Sequence, residues 1–326
     1  MSASAAKGLT DITGIKVGHA SNYDALTGCT VILCESGAVG GVDVRGSASG
    51  TQELELLNPL HLTERIHGIV LAGGSAFGLE AASGVRRFLE AKGVGFDTGA
   101  AKVPLIPGAI LYDLGVGKAH IRPTREMGEA AAAAANDGPV VEGAVGAGTG
   151  ATVGKMLGMR NAMKGGIGTF TVELEGPFAG AKVSALAAVN AFGDVRDPAT
   201  AQIVAGARRT PDGMDFVGTE KALLRGGRGG FPTSNTTLVV VATNAKLTKV
   251  QATKLAQFAQ MGMGRTLSPG NTMFDGDTVF ALSIGEARAD INALGAAAME
   301  ATVQAILRGV RMAPTLGGVR GLFEKR

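Results

Sequence analysis

The sequence predicts an α/β protein folded as one large domain, and three observations lead to this prediction. Continuous β-branched apolar runs indicate buried strands, and apolar residues spaced three and four apart indicate amphipathic helices. Both patterns occur along the chain, without a steady βαβ alternation and without an internal repeat. The chain has 326 residues, of which 45% are hydrophobic and 18% charged, so it can bury a core of this kind.

Four segments predict strands: residues 30–33, 68–71, 182–189 and 238–243. The last of them, LVVVAT, is a continuous apolar run rather than an alternating one. Continuous runs are typical of strands that are covered on both faces. We therefore expect residues 238–243 to form a fully buried strand.

Four further segments predict helices: residues 76–92, 124–135, 248–261 and 290–308. Ser75 is expected to cap the first helix and Thr248 the third, because hydroxyl side chains accept hydrogen bonds from the first free backbone amides. The third helix carries an apolar stripe with helical spacing, formed by Val250, Leu255, Phe258 and Met261. The fourth begins with Asp290.

Glycine is the most unusual component of the chain. It supplies 51 of the 326 residues, whereas the chain contains 12 Phe, 2 Tyr and no Trp. Average proteins contain only about 7% glycine. We therefore expect a backbone that turns often and packs closely, and a site built from backbone groups rather than from aromatic cages.

Charge and cysteine content exclude several classes of function. The net charge is +3 and the basic residues are scattered, with no concentrated basic face for nucleic acid. Cys29 and Cys34, five residues apart on one predicted strand, lie about 16 Å apart at ~3.3 Å per residue and cannot form a disulfide with each other. Two free thiols suit a reducing cytosol. The absence of a signal-peptide pattern and of an apolar run near 18 residues agrees with a cytoplasmic protein without a membrane span.

One composition break precedes the buried strand at residues 238–243. The stretch RGGRGGFPTSN covers residues 225–235 and leads directly to Thr236. If the bond before Thr236 breaks, the threonine gains a free α-amine, whose ordinary pKa of about 7.7–8.0 lets it act as a base on its own hydroxyl. The alternative is that SNTT simply ends a loop and opens a strand, as Ser, Asn and Thr often do.

Several motifs carry a family resemblance, which extends from about residue 10 to about residue 310. They are DITGIKVGHA, TGCTVIL, DVRGSASGTQELELLNP, GIVLAGGSAFGLEAASGV, KGGIGT, NTTLVVVATNAKL and FDGDTVFALS. With these motifs the chain resembles the L-aminopeptidase D-Ala-esterase/amidase family, which includes β-peptidyl aminopeptidases and 6-aminohexanoate-oligomer (nylon oligomer) hydrolases. Many members have serine at the position of Thr236, whereas the nylon-oligomer hydrolases have threonine.

The resemblance implies a four-layer αββα sandwich of the self-processing N-terminal-nucleophile type. It also implies a single cut between Asn235 and Thr236. The cut would leave a large chain, residues 1–235, and a small chain, residues 236–326, that stay together. Members of the family form homo-oligomers, so a tetramer or a similar assembly is expected.

The family resemblance also assigns site residues. Asp275 and Asp277, on either side of Gly276, could hold the α-ammonium of Thr236, because a nearby anion favours the charged form. By spacing alone this FDGD segment is more typical of an exposed turn. The family's site lysine is assigned to Lys164, in KGGIGT, rather than to Lys155, and would tune the charges of the site.

Asn190 and Tyr112 complete the predicted site. The Asn190 amide, at the end of an apolar run, could stabilise the oxyanion of a tetrahedral intermediate, although an asparagine at this place is also typical of a turn. Tyr112, one of only two tyrosines, matches a site tyrosine of the family and could position the substrate. Otherwise it is a core aromatic residue with a bonded hydroxyl.

Two other motifs do not support a function. The glycine-rich residues 143–152 lack the lysine followed by Ser or Thr of a phosphate-binding loop. LAGGSAFG has Phe77 where a nucleophile elbow needs glycine. The four histidines, His19, His61, His67 and His120, lack metal-ligand spacing, and we expect neither a metal nor a cofactor.

The sequence therefore predicts an autoproteolytically activated amide or peptide hydrolase with Thr236 as nucleophile. Its substrates would be short peptides, amides or 6-aminohexanoate-type oligomers. One alternative is an aminopeptidase or esterase acting on small substrates with a free N-terminus. A second is an acetyltransferase of the ornithine-acetyltransferase type, which also cleaves itself at a threonine. A third is an uncleaved member that only binds small molecules.

Overall fold

The computed structural model of the protein describes residues 7–227 and 235–324. These ranges contain five α-helices: α1 (Ala81–Ala91), α2 (Arg125–Ala133), α3 (Thr219–Leu224), α4 (Lys249–Thr266) and α5 (Ile291–Arg311). They also contain sixteen strands: β1 (Lys16–Asn22), β2 (Thr27–Val44), β3 (Thr51–Gln52), β4 (Arg65–Ala72), β5 (Phe96–Asp97), β6 (Lys102–Val103), β7 (Gly108–Ile110), β8 (Thr152–Val153), β9 (Met163–Lys164), β10 (Ile167–Glu173), β11 (Lys182–Ala188), β12 (Asp194–Arg196), β13 (Ile203–Ala205), β14 (Leu238–Ala245), β15 (Leu267–Ser268) and β16 (Thr278–Ala287).

One large hydrogen-bonded sheet organises the molecule. Its strand order is β10-β11-β14-β16-β2-β4-β7-β3, and β1 pairs with β2 outside this path. The 18-residue strand β2 joins the two parts of the sheet. Its N-terminal half pairs with β1 and β4, and its C-terminal half pairs with β16. The register with β4 shifts between Leu33 and Ala38, where the long strand changes partners.

Three apolar cores show that this sheet folds into two layers between two helical layers. The first core lies between α4, α5 and the strands β11, β14 and β16. The second joins the opposite face of β11, β14 and β16 to β4 and the N-terminal half of β2. The third packs the outer face of β2 and β4 against α1 and α2. The predicted αββα arrangement is therefore confirmed.

Strand β14 illustrates how its sequence determines this position. Val239 and Val241 belong to the core under the helices, whereas Val240 and Ala242 belong to the core between the sheet layers. Both faces are buried, which explains why the run is continuously apolar. The prediction of a fully buried strand is confirmed. Cys29 and Cys34 lie in different cores as free, buried thiols, again as predicted.

The helix predicted over residues 76–92 differs from the observed structure at its start. Residues Ser75–Glu80 form a 3-10 helix, and the α-helix begins only at Ala81. Ser75 makes no capping hydrogen bond, so its predicted role as a cap is wrong. Its φ angle is 54°, a left-handed conformation, and its amide donates to the carbonyl of Leu111 instead. The start of this segment is therefore bonded to the residue that follows strand β7, and the α-helix begins only after it.

The other helix starts agree with the sequence. Thr248 accepts a hydrogen bond from the amide of Gln251 and forms a capping box, and Asp290 accepts from the amides of Asn292 and Ala293. No helix in the described part of the chain has the combination of length and apolar character that a membrane crossing requires.

Candidate active site

The strand register brings Thr236 beside residues that are distant in sequence. Strands β14 and β16 are parallel, with Leu238 opposite Thr278, so two residues earlier Thr236 lies next to Gly276. Strands β11 and β14 are antiparallel, with Ala188 opposite Leu238, so two residues further Asn190 lies next to Thr236. The amide of Thr236 donates to the carbonyl of Asn190 over 3.0 Å, which continues this ladder.

The Asn235–Thr236 junction is held tightly in the continuous chain. The Thr236 hydroxyl donates to the carbonyl oxygen of Asn235 over 2.6 Å. The same oxygen accepts a hydrogen bond from the amide of Gly276, also over 2.6 Å. Both junction residues are buried. The hydroxyl and a backbone N–H thus meet at the carbonyl group that self-cleavage would attack.

Gly276 is required at its position by the closeness of the junction. A Cβ atom there would lie 2.6 Å from Oγ1 of Thr236 and 2.8 Å from the carbonyl oxygen of Ala48. Both distances are below what real Cβ atoms tolerate, so any side chain would displace the threonine or the Ala48 backbone. The glycine therefore allows its own amide to approach the Asn235 carbonyl.

Asp277 and Asp275 are buried on either side of Gly276. The Asp277 carboxylate accepts hydrogen bonds from the amides of Thr237, over 2.7 Å, and Asn271, over 2.8 Å. Burial, and after it the negative charge of Asp275, raises the pKa of Asp277 to about 7. The carboxyl group of Asp277 therefore gains or loses its proton near neutral pH.

The Asp275 carboxylate orders the neighbouring loop. Its Oδ2 accepts from the amide of Thr272 over 3.0 Å and from the hydroxyl of the same residue over 2.5 Å. Its Oδ1 accepts from the amide of Phe192 over 3.3 Å. Asp275 thus connects the loop before β16 to the segment that contains Asn190.

Lys155 contacts the predicted site directly, and sequence reasoning missed it. Its Nζ donates to Oδ1 of Asn190 over 2.9 Å and to the carbonyl oxygen of Asn190 over 3.1 Å. Burial lowers the pKa of Lys155 to about 7, against the opposing influence of the carboxylates of Asp275 and Asp277. The carbonyl of Asn190 therefore accepts from both Lys155 and the amide of Thr236.

Lys164, the lysine chosen from sequence, lies behind the site. Its buried Nζ donates to the carbonyls of Thr149, over 2.9 Å, and Ala151, over 2.7 Å. Burial lowers the pKa of Lys164 to about 7, and Asp113 opposes this shift. Lys164 fixes the segment from which the amide of Thr152 donates to Oδ1 of Asn190. Lys164 is therefore connected with the site through the backbone of residues 149–152.

Asn190 uses its side chain within the protein in this uncut chain. Its Nδ2 donates to the carbonyl of Tyr112 over 3.1 Å, while its Oδ1 accepts from Lys155 and Thr152. The N–H that reaches the Asn235 carbonyl belongs to Gly276. An oxyanion role of the Asn190 amide in turnover stays a prediction.

Tyr112 meets the site through its main chain. Its carbonyl accepts from Asn190, and its side chain is half-buried. Within residues 7–227 and 235–324 its phenol oxygen has no hydrogen-bond partner, and its role in positioning a substrate stays a prediction. Of the predicted break at residues 225–235, residues 228–234 lie outside the described residues.

Comparisons with known proteins agree along nearly the whole chain. The model of peptidase family S58 matches residues 7–323. A protein of Mycobacterium leprae (strain TN), named as an uncharacterized aminopeptidase, is 38% identical over 95% of this chain and 92% of its own length. A 6-aminohexanoate-oligomer endohydrolase of Kocuria sp. (strain KY2) is 29% identical over 92% of this chain and 85% of its own length.

Solved structures lead to the same architecture. A β-aminopeptidase of a Burkholderia species superposes with a TM-score of 0.67 at 25% identity, over 97% of this chain and 91% of its own. The L-aminopeptidase D-Ala-esterase/amidase of Ochrobactrum anthropi, described as a new variant among the Ntn-hydrolase fold, reaches a TM-score of 0.73 at 18% identity. That alignment covers 98% of this chain and 91% of the Ochrobactrum protein. At 18% identity it demonstrates the fold alone.

Proposed function

Since the chain belongs to peptidase family S58, we propose that it is a self-processing amide hydrolase whose nucleophile is the Thr236 hydroxyl. Hydrolysis of peptide or amide bonds follows from the family and from its named relatives. The observation that carries the finer proposal is the position of the hydroxyl. It lies 2.6 Å from the Asn235 carbonyl oxygen, which the Gly276 amide also binds.

Self-processing would begin with attack of Oγ1 of Thr236 on the carbonyl carbon of Asn235. The negative charge that develops on the carbonyl oxygen would be stabilised by the Gly276 amide, as in an oxyanion hole. The C–N bond then breaks, and the hydroxyl proton ends on the released nitrogen. The product is an ester between Asn235 and Thr236, which water hydrolyses to a carboxylate and a free threonine hydroxyl.

In turnover the new α-amine would serve as the base for its own hydroxyl. The amide nitrogen from which it forms already donates to the carbonyl of Asn190, so this contact would keep the amine in place. Lys155 binds the same carbonyl, and a nearby positive charge favours the neutral amine, whereas Asp275 and Asp277 favour the ammonium. These three groups would together set the fraction of neutral, active amine.

The two chains produced by the cut are expected to remain one particle. The small chain would contribute β14 and β16, which lie in the middle of the sheet between β11 and β2 of the large chain. Helices α4 and α5 would cover this sheet from the same small chain. Separation would expose two apolar cores, so the chains should part only on denaturation.

The substrate class is proposed from the relatives. The Kocuria protein is named for hydrolysis of 6-aminohexanoate oligomers, and the mycobacterial protein is named as an aminopeptidase. We propose short peptides, amides or 6-aminohexanoate-type oligomers as substrates, with an aminopeptidase restricted to free N-termini as the second candidate. Oligomers with blocked and free N-termini separate the two, because only an aminopeptidase requires the free amine.

The test is the mass and activity of the Thr236→Ala variant. Wild-type protein should separate on a denaturing gel into fragments of 235 and 91 residues, whereas Thr236→Ala should stay one chain of 32.8 kDa and hydrolyse no p-nitroanilide. Thr236→Ser is the matched control, because it keeps a hydroxyl and should retain both reactions. Hydrolysis by the alanine variant would refute the mechanism.

A further inference from the structure

One cavity lies outside the residues of the candidate active site. Its volume is about 830 Å³, and it opens between the small three-stranded sheet of β12, β13 and β15 and helix α3. None of the site residues discussed above lines it. The cavity therefore offers binding space that the chemistry at Thr236 does not use.

Positive charge dominates the lining of this cavity. Four cationic side chains contribute to it: Arg196, Arg209, Lys221 and Arg225. In the part of the chain that the structure describes, none of the four makes an ion pair. Arg196 donates to the carbonyl of Ala201 over 3.1 Å. Unneutralised cations around one cavity attract an anion into it.

The two carboxylates of the lining offset only part of this positive charge: burial raises the pKa of Asp194, and the charge of Arg196 is among the influences that oppose this shift. Asp194 is buried and accepts from the amides of Ala207, over 2.9 Å, and Thr219, over 2.6 Å, as well as from the Thr219 hydroxyl. Glu220 accepts from the hydroxyl of Ser268 over 2.5 Å. Both carboxylates thus have hydrogen-bond donors of their own, and the cations still outnumber them by two.

Apolar side chains supply the remaining wall. Ile203, Phe216, Val217 and Leu224 line the same cavity. Methylene groups can pack on these side chains while a charged end meets arginine or lysine. The lining is therefore suited to an aliphatic chain that ends in a carboxylate.

One short segment connects the cavity to the nucleophile. The carbonyl of Asn190 accepts from Thr236, the amide of Phe192 donates to Asp275, and Asp194 already lines the cavity. Four residues span at most about 14 Å when fully extended. An oligomer bound at Thr236 is long enough to cover this distance.

We propose that this cavity binds the carboxylate end of an oligomeric amide substrate. This assignment rests on the proposed hydrolase function and specifies in addition that the substrate carries a negative charge at one end. Arginine binds carboxylate through two parallel hydrogen bonds, and lysine adds a further positive charge. The enzyme should then prefer oligomers with a free carboxylate to the same oligomers ending in an amide.

The test compares two forms of one substrate on the processed protein. A linear 6-aminohexanoate oligomer with a free carboxylate and its C-terminal amide are hydrolysed by wild type and by the double variant Arg209→Gln with Lys221→Gln. The variant should raise KM for the acid form about tenfold, the loss of about 1.4 kcal/mol of binding, and leave kcat unchanged. Neither kinetic constant for the amide form should change.

Control variants separate a charge effect from a general one. Arg87→Gln removes a cation that pairs with Glu129 on the other side of the molecule and should change nothing. Arg209→Lys with Lys221→Arg keeps both charges and should restore KM. Equal KM changes for the acid and the amide, or no change for either, would overturn the proposal while leaving the Thr236 mechanism intact.

A binding measurement makes the test independent of turnover. Calorimetry with 6-acetamidohexanoate and its uncharged amide should detect binding of the acid to wild type and about tenfold weaker binding to the double variant. Absence of binding to wild type, or equal binding to both proteins, overturns the cavity assignment. If the acid binds as expected but no oligomer is cleaved, the proposed hydrolase function fails and the carboxylate site remains.

Discussion

Lys155 and Lys164 lie at two short, neighbouring strands, and their ammonium groups contact different parts of the molecule. Strand β8 is followed by Lys155, and β9 ends at Lys164, with Thr152 paired to Lys164 between the strands. The Nζ of Lys155 donates to Asn190, whose carbonyl also accepts from the amide of Thr236. The Nζ of Lys164 donates instead to the carbonyls of Thr149 and Ala151.

The electrostatic surroundings of the two lysines are nevertheless alike. Burial lowers the pKa of each to about 7, and carboxylates oppose the shift in both places. For Lys155 these are Asp275, Asp113 and Asp277, and for Lys164 it is Asp113 alone. A strongly shifted pKa therefore does not distinguish a catalytic group from a supporting one. The two ammonium groups differ in their contacts, and the variants below test whether this difference reflects different roles.

The largest effect is expected from Lys155→Met. The variant removes the Nζ donor to both oxygens of Asn190, and with it a positive charge beside the carbonyl that accepts from the Thr236 amide. Processing and hydrolysis should both slow by about 100-fold or more, the scale of losing a site donor in other hydrolases. Intact mass over time measures the first rate, and p-nitroanilide release from processed protein measures the second.

Lys155→Arg is the matched control for this variant, since it keeps the charge and should restore part of both rates. The thermal unfolding midpoint of Lys155→Met should stay near that of wild type, because both oxygens of Asn190 keep a donor, the amides of Thr236 and Thr152. If the Lys155→Met variant processed itself at the wild-type rate, the lysine would contact Asn190 without contributing to the reaction.

The sequence contained enough information for the junction and for the residues next to it in the register. Thr236, Asp275 and Asp277 stand at the starts of two long apolar strands, and Asn190 stands at the end of a third. The apolar patterns predicted strands β11 and β14 but not β16, and by spacing alone the FDGD segment was more typical of a turn. These residues could be named together because the motifs around them resemble those of one family.

Lys155 could not be found in this way, because its position depends on contacts without a periodic pattern. The amides of Gly154 and Lys155 donate to the carbonyls of Gly193 and Phe192, and this short ladder sets Lys155 beside Asn190. Strand β8 has only two residues, too few for an alternation to be recognised. The KGGIGT motif around Lys164 was the more conspicuous signal.

The Gly276 amide and the cationic cavity were also beyond the sequence. A backbone N–H has no side-chain signature, so Gly276 could be interpreted only as a spacer between two aspartates. Arg196, Arg209 and Lys221 are scattered along the chain and meet only through the packing of the small sheet on α3. Their charges reinforce one another only in the folded protein.

The second expected effect is on stability, from Lys164→Met. The Thr149 carbonyl loses its Lys164 donor, and the buried carboxylate of Asp113 loses a positive charge that opposes the rise of its pKa by burial. An unpaired buried acceptor costs about 1–3 kcal/mol, so the free energy of unfolding should fall by about this amount. Urea unfolding in a Thr236→Ala background measures it on a single uncut chain.

Hydrolysis by processed Lys164→Met should fall by about tenfold or less, since Asn190 keeps its bonds to Lys155 and Tyr112. The comparison of this loss with the larger loss expected for Lys155→Met tests whether the two lysines have different roles. A loss of activity as deep as that of Lys155→Met, with unchanged stability, would assign Lys164 to the chemistry instead.

The smallest effect is expected in the pH dependence of stability. In the folded protein the pKa of Lys164 is about 7, against an ordinary value of 10.5, so between these values the unfolded chain binds more protons than the folded chain. The free energy of unfolding should therefore rise with pH in this window, by at most about 1.4 kcal/mol per pH unit for each such lysine. Lys164→Met should lose one such contribution.

The window from pH 7 to pH 8.5 separates the contributions of Lys155 and Lys164 from those of the other buried groups, and the Lys164→Met variant then separates the two lysines. The pKa of Asp277 is raised to about 7, so this carboxyl lowers the free energy of unfolding with rising pH mainly below pH 7. Burial raises the pKa of the Cys29 and Cys34 thiols from 9.0 to about 12, so these thiols affect the free energy of unfolding mainly above pH 9. Lys246→Met, which breaks an exposed pair with Glu286, is the matched control and should keep the wild-type slope. Equal slopes in wild type and Lys164→Met would show that Lys164 keeps its proton when buried, because its two carbonyl contacts and Asp113 then outweigh the loss of hydration.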